Sequence, residues 1–167
     1  MPQNINISAT LQIDSTGNPV VGGAVSTVSR GRQADINLAD GTGSNQASKT
    51  YSAQRTVASA TNDDIDLAGG PLVDVMGLAL TFLTVKCIVL RSDPANTTNM
   101  TVSPAPANGF LGPFGAAAHN VQVRPGGALV FAAPQTGWTV TPSTGDLLRV
   151  TNAAGAPAIY TIEIVGT

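Results

Sequence analysis

The stretch GLALTFLTVKCIVL, from Gly77 to Leu90, restricts the fold more than any other part of this chain. Its fourteen residues fall short of the about 20 that a helix needs to cross a bilayer, and Lys86 sits among them, so a membrane-spanning helix is excluded. Thr81, Thr84, Val85, Ile88 and Val89 are β-branched, Phe82 also favours strands, and no capping residue precedes the run. The segment is therefore a predicted strand, or a strand with a bend near Gly77. Alternation puts Leu83, Val85, Cys87 and Val89 on an apolar face and Thr84, Lys86, Ile88 and Leu90 on a mixed one. The mixed face is itself too apolar for open water, so cover is expected on both sides.

Downstream, short strand-like runs recur at sandwich spacing: residues 99–103, 120–124, 128–133, 137–141, 146–151 and 158–165. Pro125, Gly126 and Gly127 mark one tight reversal and Gly155 and Pro157 another, and both read as antiparallel connections. In the last run Tyr160, Ile162 and Ile164 alternate with Thr161 and Glu163, the pattern of a strand with one buried face. No helical periodicity survives over ten residues. The expected fold is all-β: an antiparallel β-sandwich, jelly-roll-like, over residues 48–167, preceded by an extended N-terminal arm or hairpin over 1–47.

That leading part differs in kind. INISATLQI and VVGGAVSTVSR flank the turn DSTGNP, and the segment ADINLADGTGSNQASKT is mostly small and polar. Ordering this part costs on the order of 1–2 kcal/mol per residue in backbone entropy, and it offers few large hydrophobes in return. Either it is an edge hairpin of the same sandwich or it is an arm that shelters on a neighbouring chain. On the arm reading its apolar positions, Ile5, Ile7, Leu11, Ile13, Val20, Val21, Ile36 and Leu38, are candidate partner contacts.

Charge narrows the partners. Charged residues are 11% of the chain against about 25% in ordinary soluble domains, and the net charge is −2. The six Arg and two Lys are scattered singly, so no basic stripe exists for a nucleic acid. Neither nucleic acid nor membrane is an expected partner. Cys87 is the single cysteine, which excludes an internal disulfide, and its apolar neighbours make it a small buried hydrophobe. The N-terminus shows no basic and apolar signal pattern, so no secretory leader is expected.

Chemistry is sparse. His119, the single histidine, follows three alanines and reads as a solvent-facing loop residue. There is no nucleophile elbow, no zinc spacing, and GTGSNQ (41–46) lacks the third glycine and the strand–helix setting of a dinucleotide loop. Asp63, Asp64 and Asp66 in NDDID could supply oxygen ligands to Ca²⁺, but the EF-hand pattern is missing and a solvated turn is the simpler reading. No catalytic, metal or cofactor residues are assigned, and the chain is not read as an enzyme. The loop SPAPANGFLGPFGAAAHN (103–120) holds Phe110, Leu111 and Phe114, which either anchor a partner or plug the end of the sandwich.

Taken together, RTVASATNDDIDLAGGPLVDVMGLALTFLTVKCIVLRSD and VRPGGALVFAAPQTGWTVTPSTGDLLRVTNAAGAPAIYTIEIVG resemble small virion proteins of tailed bacteriophages. The shared features are a DLAGG segment, an apolar strand, a PGG turn and a closing TGDLLRV hairpin, over about residues 40–167. The resemblance implies a β-sandwich subunit on the outer surface of the phage head, a decoration or cement protein made in the host cytoplasm. It implies the major capsid protein as partner and a homo-oligomer, trimer or dimer. The alternative is a tail component, or a receptor- or glycan-binding module on the virion. A weakly charged surface suits such assembly, because few ions are desolvated when subunits meet.

Overall fold

The apolar run divides at Leu83. Residues 84–92 form strand β6 (Thr84–Ser92), while 67–83 make an irregular excursion ahead of it. The computed structural model describes residues 5–17, 26–74 and 76–167, with the stretches before Ile36 described by their backbone pairing. Around β6 a first sheet assembles: β12 (Ala158–Gly166) on one side, then β4 (Lys49–Val57), with β9 (Ala128–Ala132) and β10 (Trp138–Thr139) in succession along the other side. A second sheet runs β5 (Asn62–Asp66), β11 (Leu147–Asn152), β7 (Met100–Pro104), β8 (Val121–Val123). Both are antiparallel throughout. The two sheets pack face to face with chain-consecutive strands mostly in opposite sheets, which is jelly-roll connectivity.

This order corrects one expectation. The turn at Pro125–Gly127 and the turn at Gly155–Pro157 do not join hydrogen-bonded neighbours: β8 and β9 lie in opposite sheets, as do β11 and β12. Both turns are corners over the rim. Gly126, at φ +71°, supplies a left-handed residue there, and Gly127 N donates to Arg124 O at 2.8 Å to close the corner.

The alternation expected of β12 is observed: Tyr160, Ile162 and Ile164 are fully buried, and Thr161 and Glu163 alternate with them. The buried three meet Ile88 and Leu90 of β6, and across the layer Leu148, Val150 and Val102 of the second sheet. At about 25 cal/mol per Å² of apolar surface, each such side chain contributes roughly 1.5–3 kcal/mol. β6 is covered on both faces, and from Cys87 onward the roles of the faces are exchanged, while Val85, before the irregularity in the pairing with β12, stays in the core. Ile88 and Leu90 face the core, whereas Cys87 and Val89 lie on the outer side, in a separate cluster with Leu38 and Ile36 from the N-terminal part. Lys86 is 3% exposed, and its ammonium donates to Gln135 O at 2.8 Å. Leu83, expected on the apolar face, is 61% exposed because it lies ahead of the strand, in the excursion.

The N-terminal part forms a third sheet of β1 (Ile5–Gly17), β2 (Ser26–Asp40) and β3 (Gln46–Ala47), with β1 antiparallel and β3 parallel to β2.

Candidate functional site

β1 and β2 pair in unbroken register from Ile5↔Leu38 to Gly17↔Ser26. At about 3.3 Å per residue, thirteen pairs make a ribbon about 43 Å long. The pleat places Ile5, Ile7, Ala9, Leu11 and Ile13 on the same face as Leu38, Ile36 and Ala34. Asn6, Ser8, Thr10 and Gln12 share the other face with Asn37, Asp35 and Gln33. This face is apolar on both strands from the Ile5–Leu38 pair to the Ala9–Ala34 pair, and beyond it Leu11 and Ile13 stand opposite Arg32 and Arg30.

Its root is fixed to the sandwich. Leu38, 2% exposed, packs with Ala47, Cys87 and Val165, and Ile36 and Val89 close the margin. The turn after β2 brings the chain back at once: Ala39 N donates to Asn45 O at 3.0 Å, and Gln46 Oε1 accepts from Gly43 N at 2.8 Å. Asn45 N in turn donates to Pro134 O at 3.0 Å, tying the turn to the link between β9 and β10. GTGSNQ is therefore the turn that ties the ribbon's root to the sandwich. Burial raises the Cys87 thiol to about 11, with Glu163 adding to the effect, so the sulfur is an inert part of this seam.

Ile5, Ile7, Leu11 and Ile13 alternate along β1, where their register partners on β2 are Leu38, Ile36, Arg32 and Arg30. Val20 and Val21 lie outside the described residues. Phe110 and Phe114 are 0% and 7% exposed and belong to the core, where Phe114 meets Phe131 edge-on at 5.4 Å. They plug the end of the sandwich, and Leu111, 46% exposed, is the member of that trio at the surface.

An apolar flap precedes β6 where the sequence suggested only strand. Leu72 and Leu80 are buried and face each other through Leu80 N→Leu72 O at 2.9 Å. Beyond them Val73 bridges Ala79, and Asp74 Oδ1 accepts from both Met76 N and Leu78 N. Val73, Met76 and Leu78 are left exposed there. Asp74 and Gly77, turn residues set inside apolar sequence, are the signal that marks it.

NDDID is strand β5 and not a solvated turn, because each acid finds a cation or an amide. Asp63 accepts two hydrogen bonds from Arg55 at 2.6 Å and one from the Tyr160 hydroxyl at 2.8 Å. Arg55 also donates to the Tyr51 hydroxyl at 3.0 Å. Burial pushes the Asp63 carboxyl up, but Arg55 and Tyr160 outweigh it and hold the group below its ordinary value. Burial, reinforced by Asp63, pushes Tyr160 far above its ordinary value. Asp64 pairs with Arg149 through two bonds of 2.6 and 2.7 Å, and Asp66 Oδ1 caps Ala68 N and Gly69 N. These groups stitch β4, β5, β11 and β12 together at the open margin of the sandwich. Among the described residues no group of three acids, cysteines or histidines converges for a metal. His119 is exposed, with Nδ1 2.6 Å from Phe114 O. A cleft of about 340 Å³, lined by Gln54, Arg91, Asp93, Gly126, Ile159 and Thr161, opens at one end of the first sheet.

No family model matches the sequence, and a search of curated proteins gives no match. Among solved structures the chain is similar to one described as "Bacillus endospore appendages form a novel family of disulfide-linked pili", at 15% identity and a TM-score of 0.31, over 72% of this chain and 94% of that one. A likeness of that size carries no argument about function. Among the described residues no helix is long and apolar enough to cross a membrane.

Proposed function

We propose that the chain is a structural protein of a tailed-phage virion: a decoration or cement subunit on the outer surface of the head, held by the major capsid protein and by further copies of itself. The observation that carries the reading is the ribbon of thirteen residue pairs, apolar on one face next to its root and rooted by Leu38 and Ile36 on the outside of a jelly roll. A ribbon about 43 Å long is suited to reach past its own domain. The exposed tip at Val73, Met76 and Leu78 offers a second apolar contact. The action is mechanical: several weak contacts on one subunit raise one another's effective concentration, so a shell is bridged without any single strong bond. Two ion pairs at the sandwich margin, Arg55–Asp63 and Arg149–Asp64, engage charges with each other, which supports a scaffold role.

The test is co-sedimentation of the purified protein with empty heads and, separately, with isolated tails. Binding to heads, a raised thermal threshold of the shell, and binding at least tenfold weaker for a chain lacking residues 1–47 are expected. Binding to tails alone would move the protein to the tail, and binding to neither would remove the virion reading. The cleft beside Arg91 and Asp93 is the one observation favouring a glycan-binding module. Competable hits on a glycan array without head binding would select it.

A further inference from the structure

From Ile5 to Ile13, β1 reads Ile-Asn-Ile-Ser-Ala-Thr-Leu-Gln-Ile. Reversed, it has the same chemistry at every position: Ile13 answers Ile5, Gln12 answers Asn6, Leu11 answers Ile7 and Thr10 answers Ser8, with Ala9 at the centre. This chemical palindrome lies on the terminal strand of its sheet, which among the described residues pairs with β2 alone. Natural sheets block such edges with charges, prolines or bulges. Residues 5–13 hold no charge and no proline, and their register with β2 has no bulge. On the far side of the ribbon, β2 carries Arg30, Arg32 and Asp35. Charges are thus spread along β2, whereas β1 carries none over residues 5–13 and its first charge is Asp14.

We propose that β1 pairs antiparallel with β1 of a second copy about a two-fold axis at Ala9, giving a four-stranded sheet of order β2–β1–β1–β2. Ile5 of one copy then stands opposite Ile13 of the other, Ile7 opposite Leu11, and Ala9 opposite Ala9. Asn6 meets Gln12 and Ser8 meets Thr10. Every pair joins like with like, so the apolar positions of the two β1 strands form one continuous surface, flanked on the β2 strands by Leu38 and Ile36 at one end and by Arg32 and Arg30 at the other. A slip of one residue would set each apolar position against a polar one and turn one ribbon over. The palindrome also selects the occupant. An unrelated strand has no reason to match nine positions in reverse, whereas an isologous contact requires that self-match. The pairing closes at two copies and stands whether or not the protein resides on a virion.

The experiment uses the full chain in sedimentation equilibrium. The wild type should self-associate. At the axis, like charges would face each other directly, so Ala9→Lys alone and Ala9→Glu alone should each weaken association at least tenfold, and an equimolar mixture of the two should restore it. Cross-linking gives a second readout with a side chain close to alanine in size. Opposed Cα atoms in an antiparallel pair lie about 4.5–5.5 Å apart, within disulfide reach, so oxidised Ala9→Cys should yield a covalent dimer. Thr10→Cys, displaced from its own copy across the axis, should stay unlinked. A monomeric wild type, single variants that associate as well as wild type, a mixture without rescue, or equal cross-linking at both positions would each overturn the proposal.

Discussion

Tyr160 of β12 donates its hydroxyl to Asp63 of β5 at 2.8 Å, so a single carboxylate joins the first sheet to the second at the margin of the sandwich. The same carboxylate takes both forks of Arg55 from β4. Replacing Asp63 with Asn keeps the shape but leaves Arg55 without its counter-charge in a half-buried place. The expected cost is about 1–3 kcal/mol in urea unfolding. The folded carboxyl is held below its ordinary value of 3.8, so unfolding takes up a proton as the solution becomes acidic. This contribution is complete above about pH 5 and is lost as pH falls from there through the folded-state value. The wild type should lose its stability advantage over Asp63→Asn across that acidic range and keep it at neutral pH.

Leu38 is the lid over Cys87. Leu38→Ala should cost about 2–4 kcal/mol if the ribbon root stays in place around the cavity, and less if it lifts away. Thiol labelling distinguishes these outcomes. Cys87 is 1% exposed and its thiol is raised to about 11, so a disulfide reagent should react slowly with the wild type at neutral pH. A lifted ribbon in the variant should speed the reaction at least tenfold.

The trio at the end of the sandwich should separate cleanly. Phe110→Ala empties a fully buried site and is expected to cost about 3–5 kcal/mol. Leu111→Ala changes a half-exposed position and should stay within about 0.5 kcal/mol. Thermal unfolding checks both, and a loss of particle binding in Leu111→Ala without a stability change would mark a partner contact.

At the flap tip, Met76 is 80% and Leu78 63% exposed. A double change to Ser should therefore alter stability by less than about 0.5 kcal/mol, since neither side chain is taken from the core. Binding of a hydrophobic dye to the folded protein should fall, and co-sedimentation with heads should weaken if the tip touches the shell.

Much of the fold is legible in short windows of the chain. The alternation of Tyr160, Ile162 and Ile164 marks a half-buried strand because a pleat has a period of two, and the β-branched run at 84–89 excludes a helix. The apolar ribbon positions Ile5, Ile7, Leu11 and Ile13 follow from the same period. What such windows miss is partnership. Pro125–Gly127 looks like a hairpin turn because turn chemistry is the same whether the next strand pairs with the last or crosses to the other sheet. NDDID looks like a solvated turn because Arg149 and Tyr160 lie far from it along the chain, and Arg55 reaches it only once β4 and β5 have taken their places.

Most strands, the alternation along them and the low charge of the chain were thus written in residue type and local geometry. Packing alone selected which face of β6 looks inward, made Phe110 and Phe114 core, and set Leu38 over Cys87. Those outcomes depend on contacts between residues remote in sequence, and the energy of such a contact exists only when the whole sandwich has brought its two sides together.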